Sequence, residues 1–231
     1  MKKVSDAVMI AYLLFAILSL TSCNSREIPV NIDSSKIPEN FDYGTWTGTT
    51  YHNDFFGFSI TIPAYWHISS KDEMEGNRAD MLQGAEKFSY IDPEEANKAA
   101  KITEATTAVL FNVTCYTEDE AITQGVSNQS ITLVACNLSG IRMSLEEYAE
   151  INREQLSQMM PDAVIKLGTN KTIGGTEFAV LNGEINLHGI HAHQEFLFCL
   201  KNNYGMTFSM AWVFDWEKEQ FDDIMATLTW K

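Results

Sequence analysis

Residues 176–214 read TEFAVLNGEINLHGIHAHQEFLFCLKNNYGMTFSMAWVF, and this stretch decides the fold. Three runs rich in apolar, β-branched and aromatic residues, 176–185, 190–200 and 206–214, are separated by the short polar links NLHG and KNNYG. Runs of this composition are typical of β-strands, and Asn and Gly in short links are typical of turns. The stretch therefore predicts consecutive antiparallel strands.

Further strands are predicted on the N-terminal side of this stretch. Residues 55–62, FFGFSITI, alternate apolar side chains with small or polar ones, which is the pattern of a half-buried strand. The runs TTAVLFNVTCY (106–116) and QSITLVACNLS (129–139) also have the composition of strands. The polar residues between these two runs, 117–128, are predicted to be a loop.

Helix signals accompany the strands. Ser144 and Glu147 form an S-x-x-E capping box at the start of SLEEYAEINREQLSQMMP (144–161), in which apolar residues recur near the helical period. Apolar residues at 221, 224, 225 and 228 form a second stripe, and Asp92 with Pro93 predicts another helix start. The sequence therefore predicts an α+β fold in which a twisted, mainly antiparallel sheet packs against two or three helices.

The first residues have the features of an export signal. Two lysines precede a 14-residue apolar run, which is shorter than the roughly 20 residues needed to span a bilayer. The following tetrapeptide, Leu20-Thr21-Ser22-Cys23, resembles the lipobox of bacterial lipoproteins. The resemblance implies that residues 1–22 are a signal peptide and that Cys23 becomes the lipidated first residue. Residues 23–48, which are polar and lack a period, are then expected to be a flexible linker to one globular domain over 49–231.

The stretch FFGFSITIPAYW (55–66) resembles the opening of the PsbP-like superfamily, in which a Phe-containing strand is followed by Pro and Trp. The later order is also similar, with strands, a long helix beginning SLEEYAE, a meander with Gly turns and a final helix. The resemblance implies a PsbP-like α+β domain from Tyr51 to Lys231. Members of that superfamily mostly bind or assemble other proteins and share no catalytic site, so the resemblance implies no catalytic residue.

The composition restricts the class of partner. The chain carries a formal net charge of −15, and such an acidic surface repels nucleic acid and anionic lipid head groups. No nucleic-acid partner is therefore expected. The sequence contains no Gly-rich phosphate loop, no G-x-S-x-G elbow and no H-E-x-x-H pair, so neither a cofactor nor an enzymatic activity is predicted.

Three cysteines, Cys115, Cys136 and Cys199, remain beyond Cys23. Their spacing contains no C-x-x-C, so a structural zinc site is not supported. If the strands that carry Cys115 and Cys136 pair as a hairpin, these two residues can lie close together. A disulfide between Cys115 and Cys136 is therefore one possible prediction, and three free thiols are the other.

The histidines of the stretch quoted first raise a second possibility. On a strand, side chains alternate between faces, so His191, His193 and Glu195 share one face, while His188 falls in the preceding turn. A His-x-His pair can ligate zinc or copper, and Glu195 or His188 is a candidate third ligand. The simpler interpretation is that these side chains lie on the solvent face of an amphipathic strand and have no metal.

These observations predict a membrane-anchored envelope lipoprotein that acts as a binding or assembly module and has no catalysis of its own. The partner is expected to be an unknown envelope protein or a small ligand, and the contact with the membrane is expected through Cys23. The expected location is the bacterial cell envelope, at the outer membrane and facing the periplasm. The alternative function is a metal-binding protein or metal-dependent enzyme that uses His191 and His193.

Overall fold

The computed structural model describes residues 35–76, 104–124, 126, 128–187 and 190–231. The predicted signal peptide, Cys23, His188 and the helix start at Asp92 lie outside these residues. Within them the predicted α+β class is confirmed, since antiparallel sheets combine with a few helices. None of the helices in these ranges is both long enough and apolar enough to cross a membrane.

Most of the described elements are strands, and single helices separate some of them. The strands are β1 (Thr45–Thr47), β2 (Thr50–Asn53), β3 (Phe58–Thr61), β4 (His67–Ile68), β5 (Thr107–Thr114), β6 (Ser130–Asn137), β7 (Val164–Leu167), β8 (Lys171–Ile173), β9 (Thr176–Leu187), β10 (Ile190–Lys201), β11 (Tyr204–Trp212) and β12 (Thr229–Trp230). The helices are α1 (Glu118–Gln124), α2 (Leu145–Met159) and α3 (Asp215–Ala226).

The predicted meander forms the middle of a large antiparallel sheet. Its strand order is β4-β5-β6-β11-β10-β9-β7, and β8 also pairs with β9. The β10–β11 turn places Asn202 and Asn203 at φ values of 52° and 64°, the left-handed conformation that a two-residue hairpin turn requires at both positions. A second, smaller sheet has the order β1-β2-β3-β12.

Both faces of the large sheet are covered, so its central strands are buried on both sides. Helix α2 packs on one face, where Tyr148 and Leu156 meet Phe196 and Phe198. The small sheet and α3 pack on the other face together with the opposite side chains of the same strands. The consequence is visible in β6, where all eight residues are buried. The burial of both faces gives two apolar cores that share one sheet.

The close approach of α2 to the sheet depends on Gly205 in β11. A Cβ atom at this position would lie 2.3 Å from Cζ of Tyr148, well inside the contact distance of two carbon atoms. Tyr148 is fully buried, and its hydroxyl lies 3.5 Å from Oγ1 of Thr207. The absence of a side chain at Gly205 therefore lets the Tyr148 ring lie directly on the strand.

The predicted start of the domain at residue 49 is too late. Ser35 is buried and its Oγ donates to the carbonyl oxygen of Ser139 at 3.1 Å. The Phe41 ring lies 5.4 Å from the ring of Tyr204, and β1 pairs with β2. Residues 35–48 are therefore part of the folded domain. Their contacts are made by single side chains at irregular spacing, which leave no period in the sequence.

The predicted loop over 117–128 contains the short helix α1. Thr117 Oγ1 accepts from the backbone N–H of Glu120 at 3.3 Å, and the Glu120 carboxylate accepts from the backbone N–H of Thr117 at 2.9 Å. This reciprocal pair is a capping box. The acidic residues of this stretch thus begin a helix.

The predicted disulfide between Cys115 and Cys136 is wrong. Strands β5 and β6 do pair, but Cys136 faces Thr107, whereas the N–H of Cys115 donates to the carbonyl oxygen of Gln129 at 2.9 Å. The two cysteines are therefore separated by the length of β6, about 23 Å, while a disulfide needs Cα atoms within about 7 Å. Cys115, Cys136 and Cys199 are all free thiols, and burial raises the pKa of Cys199 to about 12.

Candidate functional site

The predicted sharing of one face by His191, His193 and Glu195 agrees with the strand geometry of β10. The ring centroids of the two histidines lie 4.9 Å apart with their planes at 85°. His191 is exposed, and His193 is partly buried. The alternate residues Phe196 and Phe198 face α2 on the other side of the sheet, as their apolar character requires.

At Glu195 this face is not the solvent face that the simpler interpretation expected, although His191 is exposed. Glu195 is only 4% exposed, and its carboxylate accepts from Nζ of Lys171 at 2.6 Å. Nζ of Lys218 lies 3.8 Å from the second carboxylate oxygen. Lys171 comes from β8 and Lys218 from α3, so these two elements together cover this face of the strand. A buried carboxylate needs such neutralising partners because its transfer from water is costly.

The two lysines also explain why Glu195 is not positioned to be a metal ligand. The Glu195 oxygens are held by ammonium groups, which repel a metal cation at the same position. Among the residues that the structure describes, no group of three or more His, Cys, Asp or Glu side chains is arranged to hold a metal ion. Glu195 is therefore not positioned as a third ligand beside His191 and His193, because it belongs to an ion-pair network, and His188, the other candidate, lies outside the described residues.

The remaining contacts of His193 are aromatic. Its imidazole stacks on the ring of Trp212, with centroids 5.8 Å apart and planes at 15°. Nζ of Lys218 lies 5.7 Å from the centroid of the same Trp212 ring, within the range of a cation–π contact. Trp212 thus connects the end of the large sheet to α3, and these contacts hold the first turns of that helix in place.

Two exposed aromatic residues follow Trp212. Phe214 is 53% exposed and Trp216 is 52% exposed, and their rings are stacked with centroids 6.3 Å apart and planes at 9°. The buried Glu217 carboxylate accepts from the backbone N–H groups of Val213 at 2.6 Å and Phe214 at 2.9 Å. This cap fixes the backbone that carries both rings.

These side chains lie at one end of the large sheet, and the chain enters the domain at the other end. Asn137, at the last residue of β6, donates from Nδ2 to the carbonyl oxygen of Lys36 at 2.9 Å, so Ser35 and Lys36 lie beside the β10–β11 turn. From Lys201 back to His193, β10 runs about 27 Å away from that turn. We call the Ser35 end the proximal end, and the residues His193, Trp212, Phe214, Trp216 and Lys218 the distal surface.

The exposed aromatic pair was missed because it lies beside an acidic run, DWEKEQFDD (215–223), that reads as a solvated surface. That interpretation is wrong for Glu217, which is buried as the helix cap. A signal was present for Trp216, which is out of phase with the helical stripe at 221, 224, 225 and 228, whereas Phe214 is in phase and is exposed because it is the N-cap residue. Large aromatic residues that are out of phase with the apolar stripe are expected to be exposed.

The substitution K171M tests the ion-pair network. We expect a loss of about 1–3 kcal/mol in the free energy of unfolding, because a buried carboxylate loses its nearest donor. The measurement is urea denaturation. The matched control is K166M, which removes an exposed lysine of the adjacent strand β7 and should change stability by less than about 0.5 kcal/mol.

A second substitution separates this explanation from a general loss of packing. In the double variant K171M/E195Q the neutral amide needs no counter-charge, so the double variant should be more stable than K171M alone. Equal stability of the two variants would contradict the role given to Glu195.

The sequence matches no protein-family model and no curated protein. Solved structures that resemble this chain include the PsbP protein CyanoP of Synechocystis sp. PCC 6803, at 10% identity and a TM-score of 0.45 over 81% of this chain and 96% of that one. LpqN of Mycobacterium tuberculosis, described as involved in cell envelope biogenesis, has 10% identity and a TM-score of 0.40 over 74% and 82%. A protein of Bacteroides thetaiotaomicron has 14% identity and a TM-score of 0.39 over 80% and 49%.

Proposed function

We propose that this chain is a lipid-anchored protein of the bacterial cell envelope whose domain binds a partner protein and performs no catalysis of its own. The anchor is the Cys23 side chain in the lipobox-like tetrapeptide, and the expected position is the periplasmic side of the outer membrane. The binding site is the distal surface. The partner is a protein that presents an apolar pocket with basic residues around it.

The observation that carries this proposal is the exposed, stacked pair of Phe214 and Trp216. Trp and other large aromatic residues supply a disproportionate part of the binding energy of protein interfaces, since one side chain removes a large apolar area from water. A stacked pair that contacts solvent over half of its surface leaves this area uncovered in the isolated chain. Binding of a protein pocket would cover it.

The pair is also held in a fixed position, which favours binding. The Glu217 cap fixes the backbone of Phe214, and Phe221, Ile224 and Met225 bury the opposite side of α3 in the core. Immobilising a flexible side chain at an interface costs about 0.5–1.5 kcal/mol, so rings that are already ordered lose less on binding. The surface therefore has the rigidity of a preformed binding site.

The charges around the pair support a basic rim on the partner. Asp215, Glu219, Asp222 and Asp223 are exposed on α3. Lys218, the one lysine of this helix, already interacts with Glu195, Asp222 and Trp212. The accessible charge beside Phe214 and Trp216 is thus negative. Association with a basic rim should be faster at low salt than at high salt, because salt screens exposed charges.

The double substitution F214S/W216S tests the binding site. A partner captured by cross-linking from membranes that contain the lipidated protein is purified, and its affinity for the variants is measured. We expect roughly thirtyfold weaker binding or more for F214S/W216S, the loss typical of a central aromatic residue. Stability in urea should change by less than about 0.5 kcal/mol per site because both rings are exposed.

The matched control is Y43S/F55S, which removes two exposed aromatic side chains at the proximal end. This variant should bind the partner as tightly as the unaltered chain. Equal affinity of F214S/W216S and the unaltered chain would contradict the distal surface as the binding site. Turnover of a substrate by the purified domain would contradict the absence of catalysis.

A further inference from the structure

We propose that the proximal end of the domain lies against the membrane that holds the lipid anchor, with Tyr43 and Phe55 in contact with the head-group region of the bilayer. This inference rests on the proposed lipid anchor at Cys23. It goes beyond the anchor because it gives the whole domain a fixed orientation, in which the distal surface points away from the membrane.

Two exposed aromatic residues mark the proximal end. Tyr43 is 51% exposed and Phe55 is 41% exposed. The ring of Phe41 lies between them, at 5.2 Å from Tyr43 and 5.8 Å from Phe55 by ring centroids. Tyr204 contacts Phe55 from the buried side at 5.5 Å. The four rings form one cluster, the proximal aromatic cluster, with two members in the core of the domain and two facing outward.

Side chains hold the backbone that carries the two outer rings by hydrogen bonds to several of its polar groups. The Asp42 carboxylate accepts from the N–H of Gly44 at 2.8 Å and from the N–H of Phe55 at 3.1 Å. Nδ2 of Asn202 donates to the carbonyl oxygen of Phe55 at 2.6 Å. Backbone groups that are already bonded within the protein lose no hydrogen bond to water when the loops approach a bilayer, which lowers the cost of that approach.

The position of the anchor selects this end of the domain. Ser35 follows Cys23 by twelve residues, a length of chain that can span at most about 43 Å. The chain joins the domain at Ser35 beside the β10–β11 turn, and the proximal aromatic cluster surrounds the same turn. If the distal surface faced the membrane instead, the chain between Cys23 and Ser35 would have to pass along β10. That path is about 27 Å long, which is more than half of the maximum length.

The chemistry of the cluster fits the bilayer surface. Aromatic residues are enriched at the level of the lipid head groups, where an apolar ring contacts acyl chains and a polar group remains hydrated. The Tyr43 hydroxyl supplies such a polar group. The acidic side chains of Asp42 and Asp54 in the same loops favour a zwitterionic surface over an anionic one, since anionic lipids repel carboxylates.

The test is photo-cross-linking of the full chain in isolated cell membranes. A benzophenone derivative of phenylalanine replaces one residue at a time: Tyr43 or Phe55 at the proximal end, and Tyr65 or Trp216 at the opposite end. Tyr65 is the matched control for Tyr43, because it is also an exposed tyrosine, 62% accessible. It lies shortly before β4, which pairs with the distal end of β5. Mass spectrometry then measures the fraction of each chain that is joined to phospholipid.

We expect roughly fivefold more phospholipid adduct, or more, at positions 43 and 55 than at positions 65 and 216. Equal adduct at 43 and 65, or adduct of position 43 with a protein in place of lipid, overturns the orientation. Whether the protein floats together with the same membranes on a density gradient tests the anchor separately. A chain that does not float overturns the anchor and this inference together, whereas a floating chain without proximal adduct overturns the orientation alone.

Discussion

Replacing Cys23 with serine should transfer the protein from the membrane fraction to the soluble fraction. The lipobox resemblance places acyl groups on the thiol and on the new amino group of this residue, and serine offers no thiol. Each buried CH₂ group contributes about 0.8 kcal/mol, so several acyl chains make the attachment stable, whereas one chain binds only marginally. The expected result is therefore nearly complete release. Incorporation of labelled palmitate and flotation on a density gradient measure it.

The matched control for C23S is C115S, which removes a thiol at a partly buried site of the folded domain. This variant should keep both the palmitate label and the membrane fraction. Mass analysis of the unaltered protein adds a further check, since cleavage before Cys23 gives a chain that begins at that residue. Flotation of C23S in the same amount as the unaltered chain would contradict the anchor.

Replacing Gly205 with alanine should destabilise the domain by about 3 kcal/mol, in the upper part of the range for overpacked cores. The new Cβ would lie 2.3 Å from the Tyr148 ring, and the ring cannot turn away because it is buried between α2 and Phe198. Either the helix or the strand must move. Such a loss is a large fraction of the 5–15 kcal/mol that is typical of natural domains. Urea denaturation measures the change in the free energy of unfolding.

Two further variants identify the cause of that loss. G76A adds the same methyl group where no atom of the described residues lies within 4 Å, so it should not destabilise the domain and can add up to about 1 kcal/mol because Gly76 is helical. In the double variant G205A/Y148A the ring that meets the new Cβ is absent. The stability that G205A/Y148A loses should be smaller than the sum of the losses of the two single variants, by about 1 kcal/mol or more. Strictly additive losses would contradict a clash between these two residues.

The architecture followed from the sequence wherever a local pattern repeats. Asn202 and Asn203 of the predicted link KNNYG form the turn between β10 and β11, and the Ser144–Glu147 capping box marks the start of α2. The apolar stripe that begins at Phe221 is buried in α3 as its period predicts. These features are encoded by neighbours in the chain, so they need no knowledge of the tertiary structure.

The candidate site did not follow from the sequence because its contacts join distant segments. Lys171 and Lys218 are 24 and 23 residues from Glu195, and they reach it only because β8 and α3 lie on the same side of β10. Without these two elements the face of His193 and Glu195 reads as solvent-exposed. The strand pattern placed the side chains on a common face but could not show what covers that face.

The false disulfide has a similar origin. Composition predicted both β5 and β6, but their register is set by the buried side chains and by an irregularity between Val109 and Phe111. A register that aligns Cys115 with Gln129 leaves Cys136 at the far end of the hairpin. Pairing of two strands can thus be predicted from composition, while the partner of each residue cannot.

The pairing of β12 with β3 also determines when the domain can form. Trp230 pairs with Phe58, 172 residues earlier, so the small sheet cannot close until residues 229 and 230 are available. Contacts between such distant residues slow folding, because the ends of a long loop must first meet. A chain that emerges progressively from a ribosome therefore lacks this strand until residue 230 has been added. Until then the outer edge of β3 has no neighbour in the small sheet, while the strands of the large sheet can already pair.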